Sequence, residues 1–164
     1  MNTENECDVR TDFIEKIGLI TQAEGLPRIA GRVFGMLVFD GEMVSFGEIS
    51  ERLQVSRASV STSIRLLEER GMIKRVAKPG DRQDFFQLAN NPYENMLKLV
   101  RSRARTTKED IAETIAKLPD GADQIERLAD FFEFYDNIEF ALGVALACNA
   151  EADEPLRGSH TNDQ

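Results

Sequence analysis

The sequence predicts a mainly α-helical fold with one small β element. Apolar residues recur at helical spacing through most of the chain. Recognisable caps and breakers divide those runs into separate helices. A single Pro-Gly turn joins two short runs of β-type composition near the middle.

Val9, Phe13, Ile17 and Ile20 recur at helical spacing and stop before Gly25, which predicts a first helix of about four turns. Pro27 restarts the chain. Proline suits the first turn of a helix, where its missing N–H would have no partner, and Ile29, Val33 and Leu37 follow at one-turn intervals. Gly31 and Gly35, four apart, predict close contact with a neighbouring helix. Asp40-Gly41 ends this second helix. Ser45 and Glu48 have the spacing of a capping box, so a short third helix begins there with Phe46, Ile49 and Leu53 inward. Ser56 offers the next N-cap, with Val60, Ile64 and Leu67 on one face and Gly71 as the stop. Met72 to Ala77 and Asp84 to Leu88 read as two strands joined by a basic loop around Lys78-Pro79-Gly80-Asp81, with Ile73, Phe86 and Leu88 the candidates for burial. So small a pair must lean on the helices. Pro92 opens a helix to about Leu118, Pro119-Asp120-Gly121 interrupts it, and a last helix runs from about Ala122 to Ala147.

The 164 residues suffice for one core or for a small head with an assembly region. No apolar run approaches the roughly 20 residues that span a bilayer. The polar, acidic start lacks the basic and apolar segments of a signal peptide, so a cytoplasmic chain is expected, with no membrane association. Cys7 and Cys148 show no metal-binding spacing and read as ordinary thiols, with a redox role as the rarer alternative. The single histidine, His160, lies in a polar tail, and Ser59, Ser61 and Ser63 have no activating histidine or lysine nearby. No enzyme activity, cofactor or metal is therefore expected.

The charge distribution is more informative than the net charge of -9. From Arg52 to Arg82 eight basic residues face three acidic ones, whereas Leu118 to Gln164 holds eleven acidic residues and two basic ones. One phosphate-facing edge and an acidic remote body would produce this pattern. Two helices joined by Gln54-Val55-Ser56 meet steeply and leave the outer face of the second one free, as in a helix-turn-helix. With Val60 buried, Ala58, Thr62 and Arg65 point outward and Ser59 and Ser61 flank them. Small residues let such a helix approach the groove floor, hydroxyls bond phosphates or base edges, and arginine forks onto guanine. Arg57 reaches a flanking phosphate or base. The basic hairpin that follows completes a winged helix-turn-helix, in which Arg82 enters the minor groove and Lys78 holds a phosphate. Double-stranded DNA is the expected partner; the alternative is a winged-helix module that binds a protein instead.

Ile49 to Leu88, ISERLQVSRASVSTSIRLLEERGMIKRVAKPGDRQDFFQL, resembles the core of MarR-type winged-helix regulators, and the wing with the following NPYENML is most similar to the GbsR-type branch. The resemblance implies that Arg57, Ala58, Ser59, Ser61, Thr62 and Arg65 face bases and phosphates and that Arg82 is the wing-tip arginine. It also implies that the terminal helices form a two-fold dimer on operator DNA, and a repressor whose homodimer binds a pseudopalindromic operator is the expected function. Two departures are visible. Gln54 stands where such turns often use glycine, at about 1 kcal/mol if the left-handed geometry is kept, and Gln83 stands where many wings have their arginine.

In the last helix Leu128, Phe131, Tyr135, Ile138, Leu142 and Ala145 form one stripe, with Phe132, Phe134 and Phe140 off it. Apolar groups on more than one face imply a second packing partner, most economically another copy of the chain. The same segment mixes aromatics with Asp130, Glu133, Asp136 and Glu139, a composition suited to an organic cation by cation–π attraction, although a dimer core with a solvated acidic face is the plainer reading. GbsR-type relatives are associated with choline and glycine betaine responses, so the resemblance adds a small-molecule effector as an expectation. The expected organisation is N-terminal helices over 1–40, the DNA-binding domain over 41–90, dimerisation helices over 91–150 and a flexible tail over 151–164.

Overall fold

The computed structural model describes residues 3–152, with side chains from 6 to 149. The order is α1 (Thr3–Ala23), α2 (Arg28–Asp40), β1 (Val44–Ser45), α3 (Phe46–Leu53), α4 (Arg57–Glu69), β2 (Ile73–Ala77), β3 (Asp84–Leu88), α5 (Pro92–Ala116) and α6 (Gln124–Ala152). The chain divides into one unit that ends at Asn95 and a second that begins at Met96. None of the described helices is long and apolar enough to cross a membrane.

In the first unit α1 is the neighbour that the α2 glycines accommodate. A Cβ on Gly31 would lie 2.5 Å from Thr21 Oγ1 and 2.8 Å from the Ile17 carbonyl oxygen. Ion pairs fasten the rims of this contact: Arg10 donates to both carboxylate oxygens of Asp40 at 2.6 and 2.7 Å, and Arg32 Nε lies 2.7 Å from Glu15. Val33, Met36 and Leu37 of α2 are buried with Ile49, Val60, Ile64 and Leu67 from α3 and α4 and with Phe86 of the sheet. Together these side chains form the core on which the candidate site is mounted.

The sheet has three antiparallel strands in the order β1-β3-β2, one more than the composition suggests. Val44 pairs with Phe86 and Ser45 with Phe85, so β3 is central and both phenylalanines are buried. Two residues are too few to display alternation, and that is why β1 escapes a reading of periodicity. Leu88, paired with Ile73 at the end of the sheet, is only half-buried.

The second unit has little core of its own. Only Ala104 and Ile111 are buried apolar residues there among the described ones, against fifteen in the first unit. Its polar contacts are correspondingly prominent. Glu139 is buried, accepts from Arg105 Nε at 2.8 Å, and lies 2.7 Å from Lys108 Nζ. Hydrogen bonds from Lys108 and Arg105 hold the Glu139 carboxyl down at about 2. Lys108 also donates to Asp136 at 2.8 Å, and its ammonium lies 5.9 Å from the Phe132 ring centre. Of the acidic and aromatic groups of α6, Asp136, Glu139 and Phe132 thus face the chain's own Lys108. α6 runs past the expected stop near Ala147 to Ala152, because Asn149-Ala150-Glu151-Ala152 contains no breaker. The remainder of the expected tail, with His160, lies outside the described residues.

Candidate nucleic-acid interface

The turn between α3 and α4 is built by backbone geometry and one serine. Ser45 caps α3 in a complete capping box: Ser45 Oγ accepts from the Glu48 N–H, and Glu48 Oε2 accepts from the Ser45 N–H at 2.9 Å. Those bonds hold the Glu48 carboxyl below its ordinary range. Gln54 ends α3 in the left-handed region, at φ 52° and ψ 46°. The Val55 N–H donates to the Ser50 carbonyl at 3.1 Å, and Ser50 Oγ donates back to the Val55 carbonyl at 2.7 Å. Arg32 reaches across from α2 and donates to the Leu53 carbonyl at 3.1 Å, so the end of α3 is tied to the helical core.

Ser56 then caps α4, its Oγ accepting from the Ser59 N–H at 3.2 Å and lying 2.8 Å from Ser59 Oγ. Val60, Ser63, Ile64 and Leu67 are buried, which fixes the opposite face outward. Ala58, Ser61, Thr62 and Arg65 are all exposed, as is Arg57 in the first turn, whereas Ser59 is half-buried. Thr62 Oγ1 donates to the Ala58 carbonyl at 3.1 Å, so toward an outside partner that hydroxyl acts only as an acceptor. The Arg65 side chain is 74% exposed, with Glu69 4.0 Å away as a loose neighbour, and is free to reach outward. The Arg57 guanidinium lies 4.8 Å from the Phe46 ring centre, a contact that orients it from α3.

The wing supplies the remaining candidates. Gly80, at φ 84°, makes the reversal that a Cβ would strain; the Asp81 N–H donates to the Lys78 carbonyl at 3.0 Å, and Asp81 Oδ1 accepts from the Gln83 N–H. Lys78 and Arg82 are exposed, and the Lys78 ammonium lies 5.6 Å from the Phe85 ring centre. Ser61 and Arg65 of α4 line a cleft with Arg75 of β2 and Phe86 of β3, so α4 and the wing adjoin within one unit.

Two parts of the arrangement are not visible in the sequence. The basic excess from Arg52 to Arg82 is not all available, because Arg52 is 2.7 Å from Glu42 and 3.3 Å from Glu48 and Lys74 donates to Asn90 at 2.6 Å. Phe46 and Arg75, which carry no signal beyond being aromatic and basic, contact Arg57 and the wing respectively.

Residues 24–84, covering the helix-turn-helix and most of the wing, match the model of the MarR family. This segment is similar to the winged helix of that family. The chain is 29% identical over 133 residues to the HTH-type transcriptional regulator MmpR5 of Mycobacterium tuberculosis, spanning 77% of this chain and 80% of that protein. It is 26% identical over 87 residues to the HTH-type transcriptional repressor OpcR of Bacillus subtilis, spanning 53% of this chain and 47% of that one. A solved transcriptional regulator superposes with a TM-score of 0.72 at 27% identity, over 87% of this chain and 98% of its own. The similarity to MmpR5 and to that solved chain thus runs well beyond the segment that matches the family model.

Proposed function

We propose that this chain is a sequence-specific DNA-binding transcriptional regulator of the GbsR-like branch, a cytoplasmic repressor that binds a pseudopalindromic operator as a homodimer. The observation that carries the reading is the outer face of α4. Ala58, Ser61, Thr62 and Arg65 stand clear of the protein, with the exposed Lys78 and Arg82 of the wing in the same unit. Small, hydroxylated and basic groups on a capped helix suit a major groove, and a cationic wing suits the phosphates and minor groove beside it. The names of MmpR5 and OpcR agree with a regulator and, for OpcR, with a repressor. Dimerisation is supported by apolar side chains left in solvent: Phe134 and Phe140 of α6, the latter 72% exposed, and Leu19 and Ile20 of α1.

Titration of the protein against DNA from its own genomic neighbourhood, at several salt concentrations, tests the reading. Affinity falls steeply with salt, Arg65→Ala relaxes preference at one base position by about 1–3 kcal/mol, and Lys78→Ala lowers affinity on all sequences while reducing the salt slope by about 1. Absence of salt-sensitive binding, or full activity in the cell after charge reversal at Arg57, Arg65 and Arg82, overturns it in favour of a protein-binding module.

A further inference from the structure

Arg75 lies where recognition helix and wing meet. Its Nε and Nη2 donate to the two carboxylate oxygens of Glu68 on α4, each at 3.3 Å, and its Nη1 donates to Asp84 Oδ2 on β3 at 2.9 Å. The guanidinium carbon is 5.4 Å from the ring centre of Phe86, which is 1% exposed and so forms a fixed platform. One cation thus gathers two carboxylates from two elements and is held in place from below.

Those carboxylates stand close to the proposed DNA-reading surface. Glu68 follows Arg65 by three residues, a spacing at which helical side chains meet, and both line the cleft that Arg75 and Asp84 also line. Left unpaired, Glu68 would draw the Arg65 guanidinium back along the helix, and two uncompensated negative charges would face approaching phosphates. Glu69 already sits 4.0 Å from Arg65 and holds it only loosely. Arg75 is itself about half exposed, at 52%, and ion pairs in such positions contribute little to folding.

Resting on the DNA-binding reading, we infer that Arg75 is a positioning residue for DNA recognition. It keeps Glu68 and Asp84 away from Arg65 and fixes the wing against α4, and it makes no phosphate or base contact of its own. The arrangement explains why a basic residue on β2 is bonded inward while Arg65, Lys78 and Arg82 stay turned toward solvent.

The test compares the unaltered protein with Arg75→Gln, Glu68→Gln and the double variant. Operator affinity, discrimination against an operator altered at the base read by Arg65, salt slope and melting temperature are measured for each. Arg75→Gln weakens operator binding by about tenfold and loses discrimination, the scale of one lost arginine–base contact. Glu68→Gln alone changes affinity less than about threefold, and combined with Arg75→Gln it recovers most of the loss, a non-additivity expected of coupled neighbours. The salt slope stays unchanged throughout. A direct phosphate contact gives the opposite pattern, a slope smaller by about 1 and no recovery with Glu68→Gln, and that result overturns the inference. Unchanged binding by Arg75→Gln overturns it as well. Should Arg75→Gln fail to fold, Arg75→Lys keeps the charge without the fork. Glu68→Gln is then added to Arg75→Lys, where regained affinity supports the inference and a lasting loss overturns it. Failure of the unaltered protein to bind DNA removes the DNA reading and this inference together; failure of the Arg75 series alone removes only the inference.

Discussion

Replacing Gln54 by glycine is expected to stabilise the protein. Gln54 is the only non-glycine residue at positive φ among the described residues, at φ 52°. For a residue with a Cβ that conformation costs roughly 1–2 kcal/mol. Glycine relieves the strain but widens the unfolded ensemble, which offsets roughly 0.4–1 kcal/mol of the gain. The turn itself does not depend on the Gln54 side chain, because it is closed by the Val55 N–H on the Ser50 carbonyl and by Ser50 Oγ on the Val55 carbonyl. The net gain is about 0.5–1 kcal/mol, a rise in melting temperature of roughly 1–4 °C for a chain of this size. Thermal unfolding followed by circular dichroism measures it, with Gln54→Ala as the control that keeps the Cβ and gains nothing. Operator affinity stays within about twofold, since the substitution leaves α4 in place. A melting temperature that falls in Gln54→Gly, or rises equally in Gln54→Ala, would refute the assignment of strain to this turn.

Three further outcomes follow from the packing and the electrostatics. Gly31→Ala gains about 1 kcal/mol of helix propensity but forces a methyl to 2.8 Å from the backbone oxygen of Ile17, an overpacking of typically 1–3 kcal/mol. A lowered urea midpoint is therefore expected, and a raised one contradicts the α1–α2 contact. Ser56→Ala removes the α4 cap and destabilises by about 1 kcal/mol, again read in the urea midpoint. Glu139 gives a pH signature. Its folded value of about 2 lies below its ordinary 4.5, so its contribution is complete above that ordinary value and disappears as pH falls toward about 2. The melting-temperature gap between the unaltered protein and Glu139→Gln should therefore narrow from about pH 6 to about pH 3. Lys108, raised from 10.5, adds no slope there, because its contribution is complete below that value and is lost only as pH rises through the higher folded one. A gap that stays constant across this range shows that Glu139 is not held in its charged form.

Much of the winged helix was legible because its boundaries are local chemistry. The Ser45–Glu48 box, the Ser56 cap and the Gly41 and Gly71 stops place α2, α3 and α4, while the run Asp84–Leu88 sets β3 residue for residue. The outward set on α4 followed from burying Val60, since one fixed direction on a helix determines the others. Features that depend on partners distant in sequence were not legible. β1 exists because Val44 meets Phe86, and Arg52 is drawn off by Glu42 and Asp40, ten and twelve residues before it. Likewise nothing in the sequence shows that Lys108, twenty-eight residues before Asp136, donates to it and lies 5.9 Å from the Phe132 ring centre. Composition records which charges are present but not which of them are already paired.

That distinction also reconciles an acidic chain with the polyanionic partner proposed for it. The interaction of exposed charges is largely screened beyond about 10 Å at 0.1 M salt, so the net charge of -9 says little about the potential at any one surface. What phosphates meet is the local set of cations without an internal carboxylate. In the first unit Arg10 and Arg52 are bonded to Asp40 and Glu42, and Arg75 to Glu68 and Asp84, while Lys78 and Arg82 at the wing remain outward. Pairing one set of arginines with internal carboxylates leaves Lys78 and Arg82 as a basic edge of that unit. Counting paired and unpaired cations alike, as a sum over the sequence must, hides that edge.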